Sequence, residues 1–141
     1  GLRMKKLYTA VMTASGGRSG SVKSPDGKYE FALSMPKELR GEGGDGVNPE
    51  LLFAAGYSAC FHSAMKVVAT RKKVEIENSS VTASVDIGMV SGAGFGLAVT
   101  LTVRIPGMEK VAAEELVAAA HLVCPYSNAT RNNIEVTLVV E

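Results

Sequence analysis

Residues 48–63 read NPELLFAAGYSACFHS, and they begin the longest helix that the sequence predicts. Asn48 is a favoured N-cap residue, Pro49 suits the first helical position, and Glu50 suits the positive end of the helix dipole. Apolar residues then continue almost all round the helix to Ala69. A helix with this pattern is expected to be buried on nearly every face, as a core helix rather than a membrane span.

Extended segments and one further helix surround this long helix. Turn signals and β-branched residues predict strands over Lys6–Ala14, Ser21–Lys23, Tyr29–Leu33, Val81–Val90, Leu97–Ile105 and Ile134–Val140. Apolar residues at helical spacing predict a second helix over Glu109–Val123, and Ser91–Gly96 is expected to connect two strands as a hairpin loop. The order β-β-β-α-β-β-α-β defines an α+β fold in a single domain over residues 1–141, of which residues 1–3 are compatible with an expression remnant.

Composition narrows the functional classes. Fifteen basic residues balance fourteen acidic ones, so the net charge is only +1 and lacks the basic footprint of a nucleic-acid-binding protein. Met4 is followed by two lysines and a mixed segment, not by the apolar run of a signal peptide. We therefore expect a soluble, cytoplasmic protein with no nucleic-acid or membrane partner.

Two cysteines carry the strongest chemical signal. Cys60 lies in the middle of the long helix, and Cys124 opens the segment CPYSNATR after the second helix. The residue before a proline disfavours helix, so Cys124 is expected to end that helix. Two thiols in a chain with no sign of secretion are more often reactive than structural.

Other interpretations of these residues stay open at this point. A lone cysteine in a helix is commonly a small buried hydrophobe. His62 lies about 200° round the helix from Cys60, so it is poorly placed as a base and is expected to hydrogen-bond backbone instead. His121 is three positions before Cys124 and is expected to lie beside it or to be structural. A zinc site from both cysteines and both histidines is disfavoured, because Cys-x-His on one helix does not converge.

Three further features permit both a functional and an ordinary interpretation. Arg18 is a surface arginine by default, although a guanidinium next to a thiol would favour the thiolate. Glu50 is a first-turn partner of the helix dipole, and it is also able to hold Arg18 through a bidentate pair. The glycines of residues 41–46 match a dinucleotide-binding pattern only literally, and turn flexibility explains them better.

Residues 48–61 and the segment VCPYSNATR at 123–131 strongly resemble the organic hydroperoxide resistance proteins, within the larger OsmC/Ohr family. The resemblance runs over nearly the whole chain and implies a thiol peroxidase acting on organic and fatty-acid hydroperoxides. It further implies that Cys60 is the peroxidatic cysteine, that Cys124 is the resolving one, and that Arg18 and Glu50 are the activating pair.

The resemblance also implies the partners. Members of the family are intertwined homodimers without metal or flavin, and dihydrolipoamide or lipoylated proteins reduce them, so no bound cofactor is expected. An apolar wall near Cys60 would favour peroxides with a hydrocarbon tail. The candidate residues of that wall are Phe53, Tyr57, Phe95 and Met89.

The spacing of Glu50 and Cys60 adds a hypothesis about the dimer. Ten residues on one helix correspond to roughly 15 Å of rise, so Glu50 cannot assist Cys60 of the same straight helix. Two copies of the helix crossing antiparallel near Ala55, with small Ala54 and Gly56 beside it, would bring them together. The alternative functions are a general osmotically induced peroxidase of the same superfamily and a thiol redox sensor.

Overall fold

A computed structural model describes residues 3–92 and 94–141. Ala93 of the predicted hairpin loop, and Gly1 and Leu2 of the segment compatible with an expression remnant, lie outside the described residues. The chain divides into two compact units, one ending at Pro49 and the other covering Glu50–Glu141. The single domain expected over residues 1–141 stays a prediction, and the two units are described in turn.

The first unit contains a three-stranded antiparallel meander, as predicted. Its strands β1, β2 and β3 pair in sequence order and cover Thr13–Ser15, Ser21–Lys23 and Glu30–Ala32. The predicted strand over Lys6–Ala14 is wrong in its extent, because β2 offers β1 only three paired residues. Residues 3–12 form no strand, and Leu7 is 92% exposed.

Glycines shape two of the loops in this unit. Arg18 is half-buried in a single 3-10 turn, Gly17–Ser19, that follows Gly16 in the left-handed region at φ 78°. In the long segment that follows β3, Gly44 has φ 135°, and a Cβ there would lie 2.7 Å from Ser34 Oγ. The glycines around position 44 therefore serve backbone conformation, as the sequence interpretation expected.

The second unit is built on a mixed three-stranded sheet. Strands β4 (Ser80–Val90) and β5 (Gly94–Arg104) form a long antiparallel hairpin, and β6 (Val136–Val140) pairs parallel with β5. The pairing of Val90 with Gly94 makes the loop shorter than the predicted Ser91–Gly96. Period-2 alternation places Val99, Leu101 and Val103 in the core.

Helix α1 (Pro49–Lys72) runs unbroken across twenty-four residues, close to the predicted extent. Tyr57, Phe61 and Met65 recur at every fourth position and are completely buried. The expectation of burial on nearly every face is wrong for the single chain. Leu51, Val67 and other residues of the opposite face are exposed, since the sheet and α2 cover one side of the helix only.

Helix α2 (Lys110–Val123) ends where the proline predicted, and the fold class is confirmed with one addition. Cys124 adopts an extended conformation (φ −62°, ψ 123°), and Pro125 then starts a short helix α3 (Pro125–Thr130) that the sequence interpretation missed. The architecture is α+β, with helices α1, α2 and α3 beside the β4–β5–β6 sheet.

Among the described residues, α1 is long and apolar enough to cross a membrane when judged by length and composition alone. Core helices of water-soluble proteins satisfy the same criterion. The buried face of α1 packs within the hydrophobic core formed with the sheet and α2, which is the behaviour predicted for it.

Leu101 offers a direct test of this core. Leu101 is completely buried in the middle of β5. We expect Leu101→Ala to lower the free energy of unfolding by about 2–5 kcal/mol, through lost apolar burial and the cavity left behind. Leu122→Ala is the matched control, because Leu122 is 68% exposed, and it should change stability by less than about 0.5 kcal/mol. Urea titration measures both, and equal effects would contradict the core assignment.

Candidate functional site

The two cysteines meet between α1 and the junction of α2 with α3. Cys124 Sγ lies 3.5 Å from Cys60 Sγ although 64 positions separate them in sequence. Both are free thiols; Cys124 is completely buried and Cys60 is half-buried. A disulfide requires about 2.05 Å between the sulfurs, so closing the bond needs a movement of about 1.5 Å.

The backbone fixes Cys124 on both sides. Its N–H donates to the carbonyl of Ala120 at 2.9 Å, and its carbonyl accepts from the N–H of Asn128 at 2.9 Å. Cys124 is therefore the C-cap of α2 and the N-cap of α3 at once. The extended residue between two helices turns the chain so that the thiol points at α1.

Burial is the main influence on the ionisation of Cys60, and it raises the pKa of the thiol. The backbone N–H of Tyr126 opposes this and lowers the pKa. Cys124 raises the pKa further, first through the hydrogen bond between the two sulfurs and then through charge repulsion. The net direction is upward. The ionised Cys60 that was expected beside a guanidinium stays a prediction.

A chain of buried hydroxyl groups lies beside the sulfurs. Ser127 Oγ is 2.8 Å from Tyr57 Oη and 2.8 Å from His121 Nδ1. Tyr57 Oη is also 3.1 Å from Thr130 Oγ1, and Tyr57 and Ser127 are completely buried. Ordinary sequence signals did not indicate this network, because serine and threonine near a proline also occur in plain turns.

The ring of Tyr126 packs across α1 at a glycine. It makes an edge-on contact with Phe53 and a tilted contact with Tyr57, with centroid distances of 6.1 and 5.6 Å. A Cβ on Gly56 would lie 2.7 Å from Tyr126 Oη and 3.2 Å from two ring carbons. Gly56 thus makes room for Tyr126 of the same chain, whereas the sequence hypothesis assigned it to close approach of a second helix.

A cavity of about 480 Å³ opens next to this aromatic cluster. Its lining is mostly apolar and comes from α1, β5, α3 and the segment before β6. The lining residues are Phe53, Leu97, Pro125, Tyr126, Ala129, Thr130, Asn133 and Ile134. Pro125 and Tyr126 directly follow Cys124, so the cavity begins close to the thiol pair.

The four residues predicted for an apolar wall take different places. Phe53 lines the cavity, whereas Tyr57 is completely buried and presents no surface to a ligand in this conformation. Met89 and Phe95 are paired across the β4–β5 hairpin near its tip, and both are largely exposed. Phe95 shares a sheet face with Leu97 of the cavity, two positions along the strand. The wall residues as a group stay a prediction.

Both histidines form hydrogen bonds with serine hydroxyl groups. His62 Nε2 lies 2.9 Å from Ser79 Oγ, which is a side-chain partner and not the backbone partner that was expected. His121 lies near Cys124 in sequence and contacts Ser127; burial first and the Arg131 charge second lower its pKa. Among residues 3–92 and 94–141 no group of three or more His, Cys, Asp or Glu side chains is placed to hold a metal ion.

Arg18 and Glu50 belong to different units. Arg18 is half-buried in the first unit, and Glu50 is half-buried in the first turn of α1 in the second. Because α1 is continuous, Glu50 and Cys60 of one chain are separated by roughly 15 Å along its axis. The activating roles of Arg18 and Glu50 remain predictions.

The α+β fold and the two adjoining thiols between its helices define a class of thiol proteins. Comparison with known proteins identifies the family within that class. Residues 41–139 match the family described as OsmC-like protein. The chain is 54% identical, over 96% of each sequence, to an organic hydroperoxide resistance protein of Xanthomonas axonopodis pv. citri. The chain belongs to the OsmC/Ohr family.

Solved structures agree with this membership. An organic hydroperoxide resistance protein from Elizabethkingia anophelis is similar at a TM-score of 0.92 and 53% identity, covering 98% of this chain and 99% of that one. A counterpart from Legionella pneumophila has a TM-score of 0.92 and 50% identity, covering 97% and 99%. The resemblance stated from the two cysteine segments is confirmed.

Gly56 provides a test of the site geometry. We expect Gly56→Ala to displace the Tyr126 ring, and with it α3, so that peroxide-treated protein forms about tenfold less Cys60–Cys124 disulfide. Helix propensity alone would make the same change favourable by about 1 kcal/mol, so a gain in stability with normal disulfide yield would contradict the prediction. Gly88→Ala is the control, since nothing lies within 4 Å of a Cβ there. Peptide mass spectrometry measures the disulfide.

Proposed function

We propose that this protein is a thiol-dependent peroxidase that reduces organic hydroperoxides, including fatty-acid hydroperoxides, to alcohols. The single observation that carries the proposal is the 3.5 Å separation of the Cys60 and Cys124 sulfurs. The names of the relatives, which are organic hydroperoxide resistance proteins, support the same substrate class. A general osmotically induced peroxidase is the nearest alternative within the family.

The reaction proceeds in three balanced steps. The Cys60 thiolate attacks one oxygen of the peroxide, the O–O bond breaks, and the alkoxide leaves and takes a proton to become the alcohol. Cys60 is then a sulfenic acid. Cys124 attacks its sulfur, water leaves, and a Cys60–Cys124 disulfide forms. An external dithiol reduces this disulfide by thiol–disulfide exchange and becomes oxidised itself.

Arg18 is proposed to supply the charge that this scheme needs. Burial and Cys124 raise the pKa of Cys60, and the Tyr126 N–H offsets only part of that effect. A guanidinium beside the thiol would lower the pKa, because an opposite charge favours the ionised form. Glu50 is proposed to orient Arg18 through a bidentate ion pair.

The substrate tail is proposed to enter the apolar cavity beside Phe53 and Tyr126. Apolar surface buried there adds binding free energy of about 25 cal/mol per Å² only for peroxides that carry a hydrocarbon group. Hydrogen peroxide gains nothing from such a cavity. Phe95 and Met89 would extend the wall along the exposed hairpin, on the sheet face that also carries Leu97.

The active form is proposed to be an isologous homodimer. Ala55 is exposed at the middle of the segment between Glu50 and Cys60, and the exposed residues one turn to either side, Leu51 and Ala59, are apolar. Antiparallel crossing of two α1 helices at Ala55 would place Glu50 of one copy near Cys60 of the other.

The remaining assignments concern the reductant and the compartment. Dihydrolipoamide or a lipoylated protein is proposed as the dithiol, and no bound cofactor or metal takes part in the scheme. A pair of thiols that cycles through a disulfide suits a cytoplasm that keeps cysteines reduced. We therefore place the protein in the cytoplasm.

Cysteine variants test the chemistry. Cys60→Ser should lower the consumption of cumene hydroperoxide by at least about 100-fold with either dihydrolipoamide or thioredoxin, because the nucleophile is lost. Cys124→Ser should keep the first oxidation but lose the intramolecular disulfide. Thr70→Ala, which removes an exposed hydroxyl from the same helix, is the control. Turnover by Cys60→Ser at the wild-type rate would contradict the scheme, and a single oxidation without turnover would favour a redox sensor.

Ala55→Leu tests the dimer. A larger side chain at the crossing point should separate the helices, so the variant should sediment as monomer at concentrations where the wild type is a dimer, and its peroxidase rate should fall about tenfold or more. Thr70→Leu enlarges another exposed position of the same helix and should leave the dimer intact. An active wild-type monomer would contradict the shared-site arrangement.

A further inference from the structure

We propose, building on the peroxidase function above, that the hydrogen-bonded chain His121–Ser127–Tyr57–Thr130 is a positioning device for disulfide closure. It holds α3 against α1 at the spacing from which Cys124 reaches the Cys60 sulfenic acid. The four residues are positioning residues, because they act through the helices that carry the sulfurs.

The network forms a second bridge between the same elements that carry the cysteines. Tyr57 lies three positions before Cys60 on α1, and Ser127 lies three positions after Cys124 on α3. Residues three apart on a helix are neighbours on its surface. The 2.8 Å contact of Tyr57 with Ser127 therefore runs alongside the 3.5 Å contact of the two sulfurs.

The number of available protons determines the donor and the acceptor in each hydrogen bond of the network. Thr130 Oγ1 donates to the Ser127 carbonyl at 3.2 Å, so it accepts from Tyr57 Oη. The Tyr57 proton is thereby used, so Ser127 Oγ donates to Tyr57 Oη and accepts from His121 Nδ1–H. Each hydroxyl has a single proton, and only this assignment satisfies all four contacts.

The network extends to the end of α2. Arg131 Nη2 donates to the carbonyl of His121, and Arg131 Nη1 donates to Asn128 Oδ1 at 2.8 Å. Arg131 thus joins His121 of α2 to Asn128 of α3, on either side of the extended Cys124. A helix of six residues has little stability of its own and depends on such tertiary contacts for its position.

Two reactions compete for the Cys60 sulfenic acid. Cys124 attacks the Cys60 sulfenic acid to give the disulfide and water, whereas a second peroxide oxidises it to the sulfinic acid and gives an alcohol. Looser attachment of α3 to α1 slows the first reaction and leaves the second unchanged. A weakened network should therefore divert Cys60 toward sulfinic acid.

The test measures this partition in the full-length protein, with Tyr57→Phe as the main variant. That change removes one hydroxyl and keeps the ring. After treatment with increasing cumene hydroperoxide, mass spectrometry should find at least about threefold more Cys60 sulfinic acid than in wild type, because the change removes both hydrogen bonds of the Tyr57 hydroxyl. Thr70→Ala is the control and should match wild type.

A second pair of variants separates positioning from folding. His121→Leu removes the Nδ1 donor, whereas His121→Asn keeps an N–H donor near the same place. We expect excess sulfinic acid in His121→Leu and a return to the wild-type partition in His121→Asn. A wild-type partition in folded Tyr57→Phe and His121→Leu would overturn the proposal, and so would loss of the fold in both.

Failure of the positioning proposal is distinguishable from failure of the proposed peroxidase function. The partition is measured on the protein and hydroperoxide alone, with no reductant and no turnover. If the wild type closes its disulfide but does not consume hydroperoxide catalytically, the peroxidase proposal fails and the positioning proposal stands.

Discussion

Proline at position 125 is the constraint on which the site depends. It forces Cys124 into an extended conformation, which ends α2 and starts α3 at the same residue. That single turn directs the Cys124 thiol at Cys60, and it directs the Tyr126 N–H toward the same sulfur. Without this break the helix would continue through Cys124, and its thiol would not be directed at Cys60.

The parts of the fold that local chemistry determines could be predicted from the sequence. Helix α1 begins where Asn48, Pro49 and Glu50 predict it, since capping and dipole preferences act within one turn. The hairpin β4–β5 follows from β-branched residues on either side of a glycine-rich turn. The pairing of the two cysteines came from the family resemblance, because a separation of 64 positions has no local signal.

The parts that tertiary contacts determine could not be predicted in the same way. Residues 6–14 alternate loosely like a strand, yet the described chain gives β1 only three paired residues. Gly56 was assigned to a second helix, whereas the Tyr126 ring occupies the space above it. Helix α3 is too short for a periodic pattern, and the Tyr57–Ser127 contact joins residues far apart in sequence.

In the proposed reaction, the two sulfurs join to each other after one encounter with an organic hydroperoxide. Intact mass spectrometry of the reduced protein, treated with one equivalent of cumene hydroperoxide, tests it most directly. We predict a chain that has lost two hydrogens, carries no intermolecular disulfide and has no titratable thiol. A chain that keeps both thiols, or that gains oxygen at Cys60 while Cys124 stays reduced, would contradict it.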